Sequence, residues 1–231
     1  MIVTDRMVFL HLHKSGGTFV NALLMRCIPG ARHIGYHLPY RELPSAYRDR
    51  PIVGTVRNPW AYYVSWYHFQ ISRPRPNMLF RICSDNGRAD FDETISNLVG
   101  LSNSDSRLEL LETHLPDTYR NSGLNLTKRC VGELRESGLG FYSFLYERLY
   151  AGAHEPVILR QERLRQDLRN ALSHLGHLPN SCADRFLDDA PPLNVSRHDL
   201  PSHYYHDRLA ALVATRDRKV IDRHGYKLSA E

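Results

Sequence analysis

MVFLHLHKSGGTFVNALLM, residues Met7–Met25, is the stretch whose reading decides the fold. Met7–Leu12 is a short, β-prone apolar run. It enters a turn containing Gly16 and Gly17, and from Thr18 onward the apolar positions recur at helical spacing. Strand, loop and helix in that order set a helix N-terminus just beyond the carboxyl end of a strand. Free backbone N–H groups and a partial positive charge receive anions there. A Walker-type phosphate loop, GxxxxGK[ST], places its lysine after the glycines. Here Lys14 precedes them, and the loop is too short to wrap a β-phosphate. Gly16 and Gly17 let the backbone approach an anion closely, Ser15 and Thr18 add hydroxyl donors, and Lys14 adds a full charge.

The pattern returns twice. Pro51–Val56 (PIVGTV) reads as a strand closed by Arg57-Asn58, with Pro59 opening a helix behind an Asn cap. Glu155-Pro156 leads into Val157-Ile158-Leu159 and then into an amphipathic helix from Leu164 to Leu175, ended by Gly176. Strands alternating with helices predict an α/β fold: a three-layer sandwich with a central, mostly parallel sheet flanked by helices around a P-loop-like strand-loop-helix. One domain is expected over 1–231, with a mainly helical insertion at about 91–150. Arg73–Asp90, rich in Pro, Gly, Asn and Arg, reads as a rim loop, and Ser202–Arg223 as one C-terminal helix.

With 231 residues, 42% hydrophobic and 24% charged, the chain can pack a core. No run approaches the ~18 apolar residues of a membrane span. Asp5, Arg6 and His11 break any secretory leader, so no stable membrane insertion and a cytoplasmic location are expected. The four cysteines, Cys27, Cys83, Cys130 and Cys182, form no CxxC pair and are expected as buried, reduced thiols. A net charge of +5 favours anionic partners. The basic residues are spread along the chain without a nucleic-acid-binding signature, so a small anionic ligand is expected rather than nucleic acid.

The second strand-helix unit offers a second anion site. Arg57 stands at the carboxyl end of its strand and Ser65 lies two helical turns along. An arginine fork with a hydroxyl suits a phosphate. Two such sites at adjacent strand ends suit a nucleotide phosphorylated at two positions.

These residues carry a family resemblance. Lys14-Ser15-Gly16-Gly17-Thr18 resembles the 5′-phosphosulfate loop of sulfotransferases that use 3′-phosphoadenylyl sulfate (PAPS). Val56-Arg57-Asn58-Pro59-Trp60 with Ser65-Trp66-Tyr67 resembles their 3′-phosphate motif. Gly138–Ser143, Leu193-Asn194-Val195-Ser196-Arg197, Tyr204-Tyr205 and Ile221–Tyr226 are similar to segments of the carbohydrate-type branch. The resemblance implies PAPS as co-substrate without a metal, and a hydroxyl-bearing, saccharide-containing acceptor handled in a bacterial cytosol. Ser15, Gly16, Gly17, Thr18 and Phe19 would hold the 5′ side, Arg57 and Ser65 the 3′-phosphate, and Ser196 with Arg197 would close over it. Lys14 would stabilise the leaving phosphate as the sulfuryl group departs. The family's use of a base between the two motifs points to His37, with His33 and Glu42 as alternatives.

His11 and His13 share a strand face without a third ligand and are expected to be structural. The aromatic run Trp60–Phe69 reads as core, and Arg163, Arg165 and Arg169 as a solvated helix face supported by Glu162 or Asp167. Two other functions fit parts of this pattern. A nucleotide or small-molecule kinase would need magnesium and the missing GK[ST] lysine; a non-catalytic polyanion-binding module would bind without turnover.

Overall fold

The computed structural model describes residues 1–194 and 196–228. In chain order the elements are β1 (Ile2–Val3), β2 (Val8–Leu10), α1 (Gly17–Cys27), β3 (Arg32–His33), β4 (Ile52–Val56), α2 (Pro59–Ile71), α3 (Met78–Cys83), α4 (Phe91–Val99), α5 (Asp105–His114), α6 (Arg129–Ser137), α7 (Phe141–Tyr150), β5 (Val157–Arg160), α8 (Leu164–His174), α9 (Ser181–Asp189), α10 (Asp207–Arg216) and α11 (Arg218–His224). The fold is α/β. The chain divides into two compact units, Met1–Arg57 with Glu147–Val195 and Asn58–Tyr146 with Ser196–Glu231.

The first unit holds the sheet, in the order β3-β1-β2-β4-β5. β2, β4 and β5 are parallel, in register Leu10↔Gly54 and Gly54↔Ile158. These are the three apolar runs visible in the sequence. β1 is antiparallel to both β2 and β3, so the sheet is mixed rather than mostly parallel. The reason is local. Only Thr4–Met7 separates β1 from β2, and Thr4 closes that turn by donating its N–H to Met7 O at 2.9 Å and accepting the Met7 N–H on Oγ1 at 3.1 Å. Parallel pairing needs a crossover of a dozen residues or more, which four cannot supply.

α1, α8 and α9 supply the apolar side of this unit's core, where Phe9, Leu23, Val53, Leu159, Leu168 and Leu187 pack together. Truncating one of them to Ala is expected to cost about 2–5 kcal/mol. Two sequence expectations fail here for one reason, the docking of α9. Cys27, at the end of α1, is disulfide-bonded to Cys182, at the start of α9, across 155 residues, with Cα atoms 5.3 Å apart. Cys83 and Cys130 are the buried free thiols. Asn180 caps α9 by accepting from Cys182 N and Ala183 N, and its Nδ2 donates to Cys27 O at 2.9 Å. The arginines of α8 are not one solvated face either. Arg163 pairs with Asp167 at 3.0 Å as expected. Arg169 instead reaches Asp184 at 2.7 Å and Asp188 at 2.5 Å on α9. Arg165 donates to the Leu187 and Ala190 carbonyls, its guanidinium 4.9 Å from the Phe19 ring centroid.

Among its described residues the second unit has helices and loops and no strand. Tyr62, Tyr63 and Trp66 of α2 are fully buried, as the aromatic run implied. The expected loop at Arg73–Asp90 contains α3, started by Asn77, whose side chain accepts from Phe80 N. The expected single helix at Ser202–Arg223 is broken at Asp217 between α10 and α11. That carboxylate is buried, accepting from Tyr63 Oη at 2.7 Å and Ser143 N at 2.7 Å. No helix among the described residues is long and apolar enough to cross a membrane.

Candidate functional site

β2 ends at Leu10, and the chain then makes a compact loop into α1. Lys14 has φ +54° and Gly16 φ +82°, so the loop turns through the left-handed region twice. Ser15 is buried, its Oγ donating to His13 O at 3.2 Å. Gly16 is the N-cap residue of α1 and brings no side-chain cap, and the first turn carries no acidic residue. The N-cap position therefore supplies no side-chain acceptor to the opening amides of the helix, which is the end of a helix that suits an anion. Both glycines are needed for packing. A Cβ on Gly16 would lie 2.7 Å from Leu164 Cδ2, and one on Gly17 would lie 2.0 Å from His11 Cδ2. The Thr18 side chain is half-buried, whereas the Phe19 ring lies in the core and its N–H bonds Gly16 O at 3.0 Å. Phe19 thus orders the loop from behind rather than offering a side chain to a ligand.

Arg57 follows β4 and reaches back to this loop, its Nη1 donating to Lys14 O at 3.2 Å. Two cationic side chains are brought together at the amino end of α1. Burial first, and the nearby Arg57 charge second, lower the Lys14 ammonium to about 8. Both groups disfavour a positive charge there, and an incoming anion relieves both.

Three histidines gather behind the loop. His37, at φ +48° and buried, has Nδ1 2.6 Å from His11 O. A carbonyl only accepts, so Nδ1 carries the proton and Nε2 keeps its lone pair. The His37 ring centroid is 4.4 Å from that of His11, 5.4 Å from that of His13 and 4.1 Å from that of Tyr36. Burial pushes His37 down to about 4, against the opposing pull of its hydrogen bond to His11. Burial, followed by the proximity of His37, holds His11 and His13 well below the ordinary histidine value. The alternatives lie elsewhere: His33 is exposed on edge strand β3, and Glu42 is exposed with Oε1 3.8 Å from Arg41 Nε. Among the described residues no group of three or more His, Cys, Asp or Glu is arranged to hold a metal ion.

The remaining predicted residues belong to the second unit. Ser65 of α2 is 2% exposed, its Oγ 3.1 Å from Ser196 Oγ. Arg197 is exposed. Val195, the middle of the Asn-Val-Ser-Arg string, lies outside the described residues. Asn58 caps α2 by accepting from Trp60 N at 3.1 Å. Arg57 accordingly belongs with Lys14 in one unit, and Ser65 with Ser196 in the other.

Sequence reasoning missed two features. Asn21 Nδ2 is 3.1 Å from His11 Nδ1, and the i, i+4 spacing of Asn21 from Gly17 on α1 is the signal that could have found it. Tyr150 Oη accepts from Thr55 N and donates to Thr55 O, both at 2.8 Å, with a sequence separation of 95 that leaves no local signal. No family model, no curated protein and no solved structure matches the chain.

Proposed function

We propose that the chain is a PAPS-dependent sulfotransferase acting on a hydroxyl acceptor of the saccharide or glycoconjugate class. The observation that carries the reading is the meeting of Lys14 and Arg57 at the uncapped N-terminus of α1. Two cations at the positive end of a helix suit a ligand with adjacent anionic groups, as a phosphosulfate has. The three-layer, P-loop-like arrangement of that family is part of the same reading.

In the proposed reaction the acceptor oxygen attacks sulfur in line with the departing phosphate. The new O–S bond forms as the bridging S–O bond breaks, and adenosine 3′,5′-bisphosphate leaves with the electron pair. Lys14 meets the charge that appears on the bridging oxygen, a contact made mainly in the transition state. The acceptor proton passes to Nε2 of His37, the ring nitrogen that its bond to His11 O leaves unprotonated. The α1 amides with Ser15, Gly16, Gly17 and Thr18 hold the 5′ side. Arg57 serves the 3′-phosphate; Ser65, Ser196 and Arg197 keep the roles that the resemblance implies.

The test is direct. Purified chain incubated with labelled PAPS and a panel of hydroxyl acceptors is expected to release adenosine 3′,5′-bisphosphate and to add one SO3 to an acceptor by mass. If calorimetry detects binding of neither nucleotide, the assignment fails.

A further inference from the structure

Residues 196–204 lie along α2 as a strap within the second unit. Ser196 Oγ is 3.1 Å from Ser65 Oγ. One turn further along α2 the His68 ring meets His198, with centroids 5.6 Å apart and planes inclined by 35°, and Tyr204, at 5.0 Å. Asp199 N donates to Tyr204 Oη at 3.1 Å, which closes the strap on itself. Its far end is anchored: Tyr204 packs on Phe91 of α4 at 5.1 Å, and Tyr205 Oη donates to Trp60 O at 2.9 Å. The near end, residues 196–199, rests on one hydroxyl pair and one pair of imidazoles, with Arg197 and Asp199 exposed. A segment held by so little apolar contact belongs to the part of a fold that opens first.

His68 controls that near end. Its Nε2 is buried and meets no hydrogen-bond partner among the described residues. A neutral imidazole can leave that nitrogen bare, whereas an imidazolium carries N–H on both nitrogens and would hold a buried donor without an acceptor. We propose that residues 196–199 are a pH-gated strap, docked on α2 while the His68 imidazole is neutral and released when it takes up a proton. Facing it are His198 and Asp199 of the strap, Tyr204 at its end and Tyr67 on α2 itself. Phe91 of α4 stands between Asp90, the cap of that helix, and Asp92, whose Oδ1 is 2.6 Å from His206 Nε2. Burial first and His198 second lower His68 below the ordinary histidine value, against the opposing pull of Asp199. The docked strap therefore binds fewer protons than the open one. Docking is complete above pH 6.5, the value of a free imidazole, and weakens as pH falls below it. In the proposed reading Ser196 and Arg197 close over the 3′-phosphate, so acid would loosen the grip on the nucleotide; that consequence rests on the reading, and the switch itself does not.

The test uses the full chain, with adenosine 3′,5′-bisphosphate as probe. Between pH 8 and 5.5 the His68 ring resonance is expected to titrate with a midpoint below 6.5. Its Overhauser contact to His198 is expected to fade along the same curve, while the Tyr204–Phe91 contact persists. His68→Phe keeps a ring on α2 without a proton to gain, and its contact to His198 is expected to hold across the range. Bisphosphate affinity is expected to fall severalfold from pH 7.5 to 5.5 relative to that variant, about tenfold being the ceiling for one site titrated one pH unit below 6.5. A His68 midpoint at or above 6.5, a His198 contact that holds while His68 charges, or the same fading in His68→Phe overturns the proposal. Should that variant fail to fold, the wild-type titration decides. If the strap opens in acid while bisphosphate affinity follows that of the variant, the switch stands and Ser196 and Arg197 lose the closing role. If bisphosphate does not bind at all, the nucleotide reading falls and the resonances alone judge the strap.

Discussion

Arg57 Nη1 donates to the carbonyl oxygen of Lys14 at 3.2 Å, so the residue that follows β4 fixes the backbone of the loop that follows β2. The two side chains are therefore not independent anion contacts. Lys14→Met is expected to weaken the donor about tenfold and to lower kcat further, by about 10²–10³, the range for losing one preorganised donor aimed at a developing charge. Arg57→Ala is expected to raise the donor KM first, by roughly 10- to 100-fold, because it removes a charged hydrogen bond and releases the Lys14 carbonyl. Arg57→Lys should restore little, since an ammonium cannot reproduce the guanidinium fork. Steady-state kinetics of the three variants give the answer; the reverse pattern would exchange the two roles.

The depressed Lys14 value makes donor binding pH-dependent on the alkaline side. With the ammonium at about 8 in the free protein, the charged form that an anion needs is lost as pH rises through that value. Affinity for adenosine 3′,5′-bisphosphate is expected to be level below pH 8 and to fall by about tenfold in all above it. Lys14→Arg, whose side chain stays charged, should remove the decline. Calorimetric titration between pH 7 and 10 measures it.

The histidines behind the loop set an acid limit on the first unit. His37 titrates near 4 in the fold against 6.5 for a free side chain. The unfolded chain therefore takes up its proton first, and stability is complete above 6.5 and declines as pH falls from 6.5 to 4. The shift corresponds to about 3 kcal/mol for His37. His11 and His13 are shifted in the same direction. Asp217 of the second unit works the other way. Burial raises it to about 6, so its contribution is present below 3.8 and is lost as pH rises through 6. The units can be read separately, because Trp60 and Trp66 are the chain's two tryptophans and both lie in the second. Amide exchange in β2 and α1 is expected to accelerate between pH 6.5 and 4 beyond its intrinsic pH trend, and His37→Gln to flatten that response. Protection that does not change over the window would rule out a buried neutral imidazole.

What the sequence made legible was local, and what it hid was closed over distance. The runs at Met7–Leu12, Pro51–Val56 and Val157–Leu159 became β2, β4 and β5 within a residue or two, because buried parallel strands are continuous apolar runs. β1 and β3, of two residues each, are too short for any period to register, so the antiparallel edge was invisible. The break at Asp217 has no glycine or proline to announce it; partners more than 70 residues away, Tyr63 and Ser143, hold that carboxylate. At the site, Lys14 and the two glycines stood out because one loop supplies them. Arg57, expected together with Ser65 eight residues further along the chain, also bonds the Lys14 carbonyl, a contact no local pattern announces.

The disulfide is the clearest such closure, and its removal is testable. Cys27–Cys182 ties the end of α1 to the start of α9, beside the Asn180–Cys27 hydrogen bond and the two Arg169 ion pairs. Cross-linking over so long a loop restricts the unfolded chain, a stabilisation of about 2–5 kcal/mol. Reduction, or Cys27→Ser, is expected to lower the unfolding temperature by roughly 5–15 °C. α9 should remain docked in the cold, since its polar contacts survive. Scanning calorimetry with and without reductant checks this, and an unchanged transition would mean the bond adds nothing to the fold.

Tyr150 shows how the first unit shapes the end of its sheet from which the Lys14 loop leaves. The β2–β4 pairing stops at Leu10↔Gly54, and the next residue of β4, Thr55, loses its neighbour on that side. The Tyr150 hydroxyl stands in for the missing strand, accepting the Thr55 N–H and donating to the Thr55 carbonyl. Gly54 makes room, since a Cβ there would lie 2.3 Å from the Tyr150 ring. β2 is thereby free to turn into the Lys14 loop while β4 runs straight on to Arg57. Tyr150→Phe keeps the ring but orphans two buried backbone groups, an expected loss of about 2–4 kcal/mol. Gly54→Ala should push the ring out and cost at least as much, by overpacking as well as by the lost bonds. If Tyr150 only fills space, Tyr150→Phe will unfold like the parent in urea. If it holds the end of β4 in place, the variant will lose stability, and at temperatures where it stays folded the donor KM will rise while kcat changes less, because Arg57 is the group left loosely held.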